Sequence, residues 1–282
     1  GHALKKPVCV TSLSSCQPCS LFRSCPYPYL FETPPPLTAR KMRKYTSAPH
    51  PFLLEFPWNQ VNSPLLMGLT LIGRGSDYLA YLIHALQRAG EGGLGKHRTP
   101  MKLIAVQQSD LSPSDNWVSI YRPDGTLETN PPAVPEIPPV PATVRLRIET
   151  PLRLQRKEQL VSPERFCFSD LFGSLLRRVS MLTYFHTETP LETDFAGLME
   201  RAHQFETITA KLTWQDWTRY SSRQMKPIRM GGVMGEILID LSGGPEFWPY
   251  LWIGQWIHAG KGTSMGLGCY TIWPAGKLAE TE

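Results

Sequence analysis

The run from His258 to Gly268 (HAGKGTSMGLG) places one histidine, one lysine and four glycines within eleven residues. Gly260, Gly262, Gly266 and Gly268 permit positive φ and a close approach of backbone to a ligand. Exposed N–H groups beside Lys261 suit an anion, which the run by itself does not identify. His258 follows an apolar, tryptophan-rich stretch that reads as a helix, and a helix C-terminus favours the protonated ring. The proton-donor reading competes with a structural one, in which His258 caps the helix and the glycines only turn the chain.

Two other histidines have chemically suggestive neighbours. His84 lies off an apolar helical stripe, one turn from Arg88, with the small Ala80 beside it. His97 lies between Lys96 and Arg98 after a glycine cluster; a solvated basic turn is the plain alternative. The segment is not a phosphate-binding P-loop, because His follows Lys96 where Ser or Thr is needed and the glycines follow a helix. Arg145 and Arg147 alternate with aliphatics at period two, so they share one strand face, where they grip a polyanion or are simply solvated. Cys9, Cys16, Cys19 and Cys25 fall within seventeen residues. Four thiols in a small segment suit tetrahedral zinc, and an iron–sulfur cluster less well, although the spacing matches no common finger.

The elements that must position these groups follow from composition and periodicity. The chain has 282 residues, 41% hydrophobic and 19% charged, with net charge +5. That is enough for one large or two modest packed domains, and the mild basicity admits a polyanionic partner without requiring one. The longest apolar run, Trp248 to Ile257, is too short and too polar to span a bilayer, so no membrane partner is expected. No signal-peptide pattern is recognised, so a cytoplasmic location with free thiols is expected.

Residues 1–63, rich in proline and cysteine, read as an irregular extension. Residues 64–130 read as a first domain, with a buried strand over Leu65–Ile72, a helix bearing Leu79, Leu82, Ile83, Leu86 and Ala89 on one stripe, and a strand over Met101–Val106. Residues 131–142 are a proline-rich linker. Residues 143–282 read as strand, helix (Ser169–Tyr184), strands (Ile208–Trp214 and Gly232–Leu241), helix (Glu246–His258) and strand (Cys269–Ile272). That β-α-β-β-α-β order is the ferredoxin-like unit. The expected fold is therefore α+β, with tandem ferredoxin-like domains, the first a partial copy, and a Cys-rich N-terminal extension.

On His258–Gly268, Ser221–Arg223 leading into Gly231–Gly235, and Leu71–Gly75 leading to Gly92–Gly95, the chain resembles the CRISPR-associated repeat-cleaving endoribonucleases of the RAMP superfamily. The resemblance runs from about Leu65 to Ile272. It implies an enzyme that binds CRISPR repeat RNA and cuts it without metal by attack of the 2′-hydroxyl, releasing guide RNAs. His258, His84 and His97 are then the candidate catalytic groups. Lys261, the four loop glycines, Arg145, Arg147, Lys96 and Arg98 are candidate RNA contacts. No catalytic cofactor is implied, and zinc at the four cysteines is structural. Two alternatives share the residues: a non-catalytic guide-RNA-binding subunit of an effector complex, and a metal-stabilised module joined to other CRISPR effector or adaptation proteins.

Overall fold

A computed structural model describes residues 1–40, 47–56, 64–95, 97–111, 116–122, 127–221 and 225–275. Lys96 and the turn at 123–126 lie outside the described residues, as does most of Ser221–Arg223. The chain divides into two compact units. One comprises residues 1–52, 71–136 and 182–188; the other comprises residues 53–70, 137–181 and 189–282. The break after residue 136 falls inside the proline-rich linker, but residues 53–70 group with the second unit rather than with a first domain.

In chain order the elements are α1 (His2–Val8), β1 (Phe52–Glu55), β2 (Gly68–Leu71), α2 (Leu79–Glu91), β3 (Val106–Ser109), β4 (Trp117–Tyr121), β5 (Thr143–Leu152), β6 (Gln155–Arg156) and β7 (Gln159–Leu160). They continue with α3 (Phe168–His186), α4 (Phe195–Gln204), β8 (Thr209–Gln215), β9 (Thr218–Ser221), β10 (Lys226–Arg229), β11 (Gly232–Asp240), α5 (Trp248–Ile257) and β12 (Tyr270–Pro274). The N-terminal stretch is thus less irregular than its composition suggests. Leu4 of α1 is buried, and α1 packs on α2.

The sheet strands of the second unit and the two helices α3 and α5 form where the periodicity predicts them. Four antiparallel strands lie in the order β12-β5-β11-β8, and β9 and β10 form a hairpin between β8 and β11. Val144, Leu146 and Ile148 of β5 turn inward, as do Ile237 and Ile239 of β11 and Ile272 of β12. They meet Leu171, Phe172 and Leu175 of α3, Leu198 of α4 and Leu251 of α5 in one core. Burying each such side chain stabilises the fold by about 1.5–3 kcal/mol. Gly254 lets α5 sit under Tyr270, whose hydroxyl donates to Leu251 O at 2.7 Å; a Cβ at Gly254 would lie 1.9 Å from that hydroxyl.

The first unit differs from the expected copy. Among its described residues the paired strands are β3 and β4, while β1 pairs with β2 mostly within residues 53–70, which group with the second unit. Leu65 and Leu66 are exposed and precede the short β2, so the long buried strand is not formed there. Residues 101–105 are irregular, and the polar Val106–Ser109 makes the hairpin instead. Strands with no continuous apolar face have nothing to bury against a common core, which limits sheet growth. The helical stripe holds: Leu82, Ile83 and Ala85 are buried in α2. Among the described residues no helix is long and apolar enough to cross a membrane.

Candidate functional site

The glycine loop joins α5 to β12, the first and last links of its frame. Gly260, Gly262, Gly266 and Gly268 all have positive φ, between 70° and 82°. The reason is contact with the protein itself. A Cβ at Gly260 would lie 2.7 Å from Arg153 O, and one at Gly266 would lie 2.7 Å from Leu54 O. Most of the loop's N–H groups are already engaged. Ala259 N donates to Gly268 O at 3.0 Å, Gly260 N to Ser174 Oγ at 2.8 Å, Lys261 N to Arg153 O at 3.0 Å and Gly268 N to Pro151 O at 3.2 Å. Thr150 Oγ1 donates to Gly266 O and accepts from Cys269 N. The open N–H cradle expected from the glycines is therefore largely used up internally. The loop turns Lys261 and Met265 outward, with Ser264 half-exposed.

His258 departs from the picture of an accessible proton donor. Its ring is fully buried, with Nδ1 3.2 Å from Leu267 O and Nε2 2.7 Å from Glu55 Oε1. Its backbone sits at φ 58°, a conformation costing a non-glycine residue roughly 1–3 kcal/mol unless the surroundings enforce it. Cys269 Sγ lies beside Glu55 and His258, with the three side-chain heteroatoms within 4.8 Å of one another. Burial, reinforced by Glu55 and Glu149, pushes the Cys269 thiol up to about 12, so it stays protonated. Next to this group, Arg178 Nε donates to Ile257 O at the end of α5. Burial lowers the Arg178 guanidinium from its ordinary value, and its Nη2 is buried without a hydrogen-bond partner.

His84 and His97 belong to the other unit and are both exposed. His84 stands on the outer face of α2, flanked three residues before by exposed Tyr81 and four residues after by exposed Arg88. His97 and Arg98 occupy the tight turn closed by the Leu94–Thr99 bridge, with Arg98 at φ 51°.

Arg145 and Arg147 share the open sheet face, as the alternation predicts, but neither is a bare cation. Arg145 Nη1 lies 2.9 Å from Glu236 Oε2, and Arg147 Nε lies 3.6 Å from Glu149 Oε1. Lys211 sits opposite Glu236 on β8, and exposed Lys226 and Arg229 lie on β10. These three cations did not stand out in the sequence. The alternation Lys226-Pro-Ile-Arg229 beside Thr-Arg-Tyr at 218–220 was the available signal.

Cys9, Cys16, Cys19 and Cys25 are free thiols that line one solvent-open pocket together with Lys5 and Tyr27. Their sulfurs do not converge as tightly as the Glu55 group does. The Cys16 thiol is raised by burial and by Glu32.

The family model described as CRISPR-associated endoribonuclease Cas6 matches residues 146–270, and a model described as an N-terminal domain matches residues 1–133. A Thermus thermophilus Cas6 product complex is 19% identical over 79% of this chain and 82% of that one, with a TM-score of 0.51. A second Cas6 product complex is 20% identical over 80% and 83%, with a TM-score of 0.48. At these identities the first establishes a shared fold. No curated protein matches the chain.

Proposed function

We propose that this chain, whose residues 146–270 match the family model of the CRISPR-associated endoribonuclease Cas6, binds CRISPR repeat RNA and cleaves it without a catalytic metal. The observation that carries the reading is the glycine loop inside the matched segment, which turns Lys261 outward from a rigid frame. Lys261 and the cations of the open sheet face and β10 grip the RNA backbone. The β-α-β-β-α-β order of the second unit supports a ferredoxin-like assignment for it. The first unit then serves as a decorated partner domain.

The reaction needs no group outside the chain and the RNA. The 2′-oxygen forms a bond to phosphorus as its proton passes to a base. The P–O5′ bond breaks, and the leaving oxygen takes a proton from an acid. The products are a 2′,3′-cyclic phosphate and a 5′-hydroxyl. We assign one of these two proton transfers to His84, which is exposed on a rigid helix with Tyr81 and Arg88 on the same face. His97 is the second candidate.

The reading is tested with labelled repeat RNA in EDTA, beside the same RNA carrying one 2′-deoxy at the cut position. Cutting of the first alone is the expected result. Binding without any cutting would transfer the chain to the guide-RNA-binding class.

The four cysteines are proposed to take one structural zinc, which would draw sulfurs already lining one cavity to about 2.3 Å from the ion. Elemental analysis of freshly purified protein is expected to give about one zinc per chain, lost in Cys16→Ser. Metal-free protein with an intact N-terminal segment would refute the assignment.

A further inference from the structure

We propose that His258 is a positively charged positioning residue, paired with Glu55, that pins the glycine loop to β1 rather than transferring a proton in the reaction. The argument begins with counting donors. A neutral imidazole has one N–H. Here Nδ1 faces a carbonyl oxygen, Leu267 O, at 3.2 Å, and Nε2 faces a carboxylate oxygen, Glu55 Oε1, at 2.7 Å. Neither partner as it stands brings a proton, so a singly protonated ring would turn a lone pair onto one of the two oxygens. A ring carrying both protons satisfies both contacts, and the Glu55 contact becomes charge-assisted.

The surroundings fit a pin. The ring is fully buried, so an RNA phosphate cannot reach it without opening the loop. Its two bonds run in different directions. One closes the loop on itself across nine residues, and the other ties the loop to a strand 203 residues away. The same strand approaches the loop a second time, where Gly266 lies against Leu54 O. Held in this way, the His258 backbone keeps the positive φ from which the loop departs. Ionisable groups from several elements lie around the ring: Glu55 from β1, Cys269 just before β12 with Glu149 of β5 acting on it, and Arg178 from α3 on the adjoining Ile257 carbonyl. Among these, Glu55 is the carboxylate that touches the ring, and its side chain is 36% exposed. The pair therefore fixes how Lys261 is presented.

The RNA arm of the test rests on the repeat-cleavage reading, and the spectroscopic arm does not. In free wild-type protein labelled with ¹⁵N-histidine, His258 is expected to show two protonated ring nitrogens. In Glu55→Gln the amide can donate to Nε2, and the ring is expected to revert to a single N–H. A singly protonated ring in wild-type protein would overturn the proposal. With repeat RNA, His258→Ala and Glu55→Ala are each expected to weaken binding at least tenfold. Single-turnover cleavage at saturating RNA stays within about threefold, and the double variant is no worse than either single one. A hundredfold fall in the saturating rate with unchanged affinity would make His258 a proton donor and sink the pin. If His258→Ala does not fold, the Glu55 variants carry both readouts. Wild-type protein that binds no repeat RNA refutes the function reading and leaves the pin to the ¹⁵N spectrum.

Discussion

His84→Ala is expected to slow single-turnover cleavage of repeat RNA by about 10²–10⁴-fold while leaving affinity and folding almost unchanged. The magnitude is that of one positioned acid or base, equivalent to roughly 3–5 kcal/mol of transition-state stabilisation. The separation of rate from stability follows from placement. His84 is exposed on α2 while Leu82, Ile83 and Ala85 carry that helix's packing. A surface truncation of this kind changes stability by about 0.5 kcal/mol or less. The helix also fixes the side chain's origin better than a turn does, which is the reason to prefer His84 over His97. Arg88→Ala on the same face is expected to weaken RNA binding and to reduce the salt slope by about one, consistent with one lost phosphate contact. The measurement is a rate at saturating RNA for His84→Ala and His97→Ala in parallel. An undiminished rate in the first and a hundredfold loss in the second would move the proton transfer to the turn.

The legible parts of this fold are those where one period is sustained. The Val144–Ile148 alternation became β5, and the helix expected over Ser169–Tyr184 became α3. Strand β12 begins at Tyr270, one residue after the expected start at Cys269. Helix α4 was missed although its signals were present. Asp194 accepts from Gly197 N at 2.9 Å, and Leu198 and Ala202 are buried one turn apart. Helix α1 was hidden by its length and by Pro7 near its end. In the candidate site, the residue types in the glycine loop were readable but the accessibility of His258 was not. That depends on Glu55 and β1, and no local pattern links positions 203 residues apart. The same limit applies to Arg145, whose charge is readable and whose partner, Glu236, is set by strand register.

Gly268→Ala is expected to destabilise the second unit by about 3–5 kcal/mol, the range of severe single substitutions with a named steric cause. Two separate costs meet at this position. Its φ is 70°, where an L side chain costs about 1–2 kcal/mol. A Cβ would also lie 1.8 Å from Ala259 O, the same carbonyl-bearing residue whose N–H donates to Gly268 O at 3.0 Å. Backbone cannot yield as a flexible side chain does, so the Ala259–Gly268 closure must open, and with it the ring contact between His258 and Leu267 O. Three other glycines separate the costs. Gly95 has φ 73° and open space, so Gly95→Ala should show the conformational cost alone. Gly254 has no positive φ but a 1.9 Å approach to the Tyr270 hydroxyl, so Gly254→Ala should show the steric cost alone. Gly243 has neither, and Gly243→Ala should stay within about 0.5 kcal/mol. Chemical denaturation of the four variants gives the ranking directly, with Gly268→Ala lowest. If Gly268→Ala proved as stable as Gly243→Ala, the tight closure of the loop would be wrong, and with it the claim that these glycines serve chain geometry before they serve RNA.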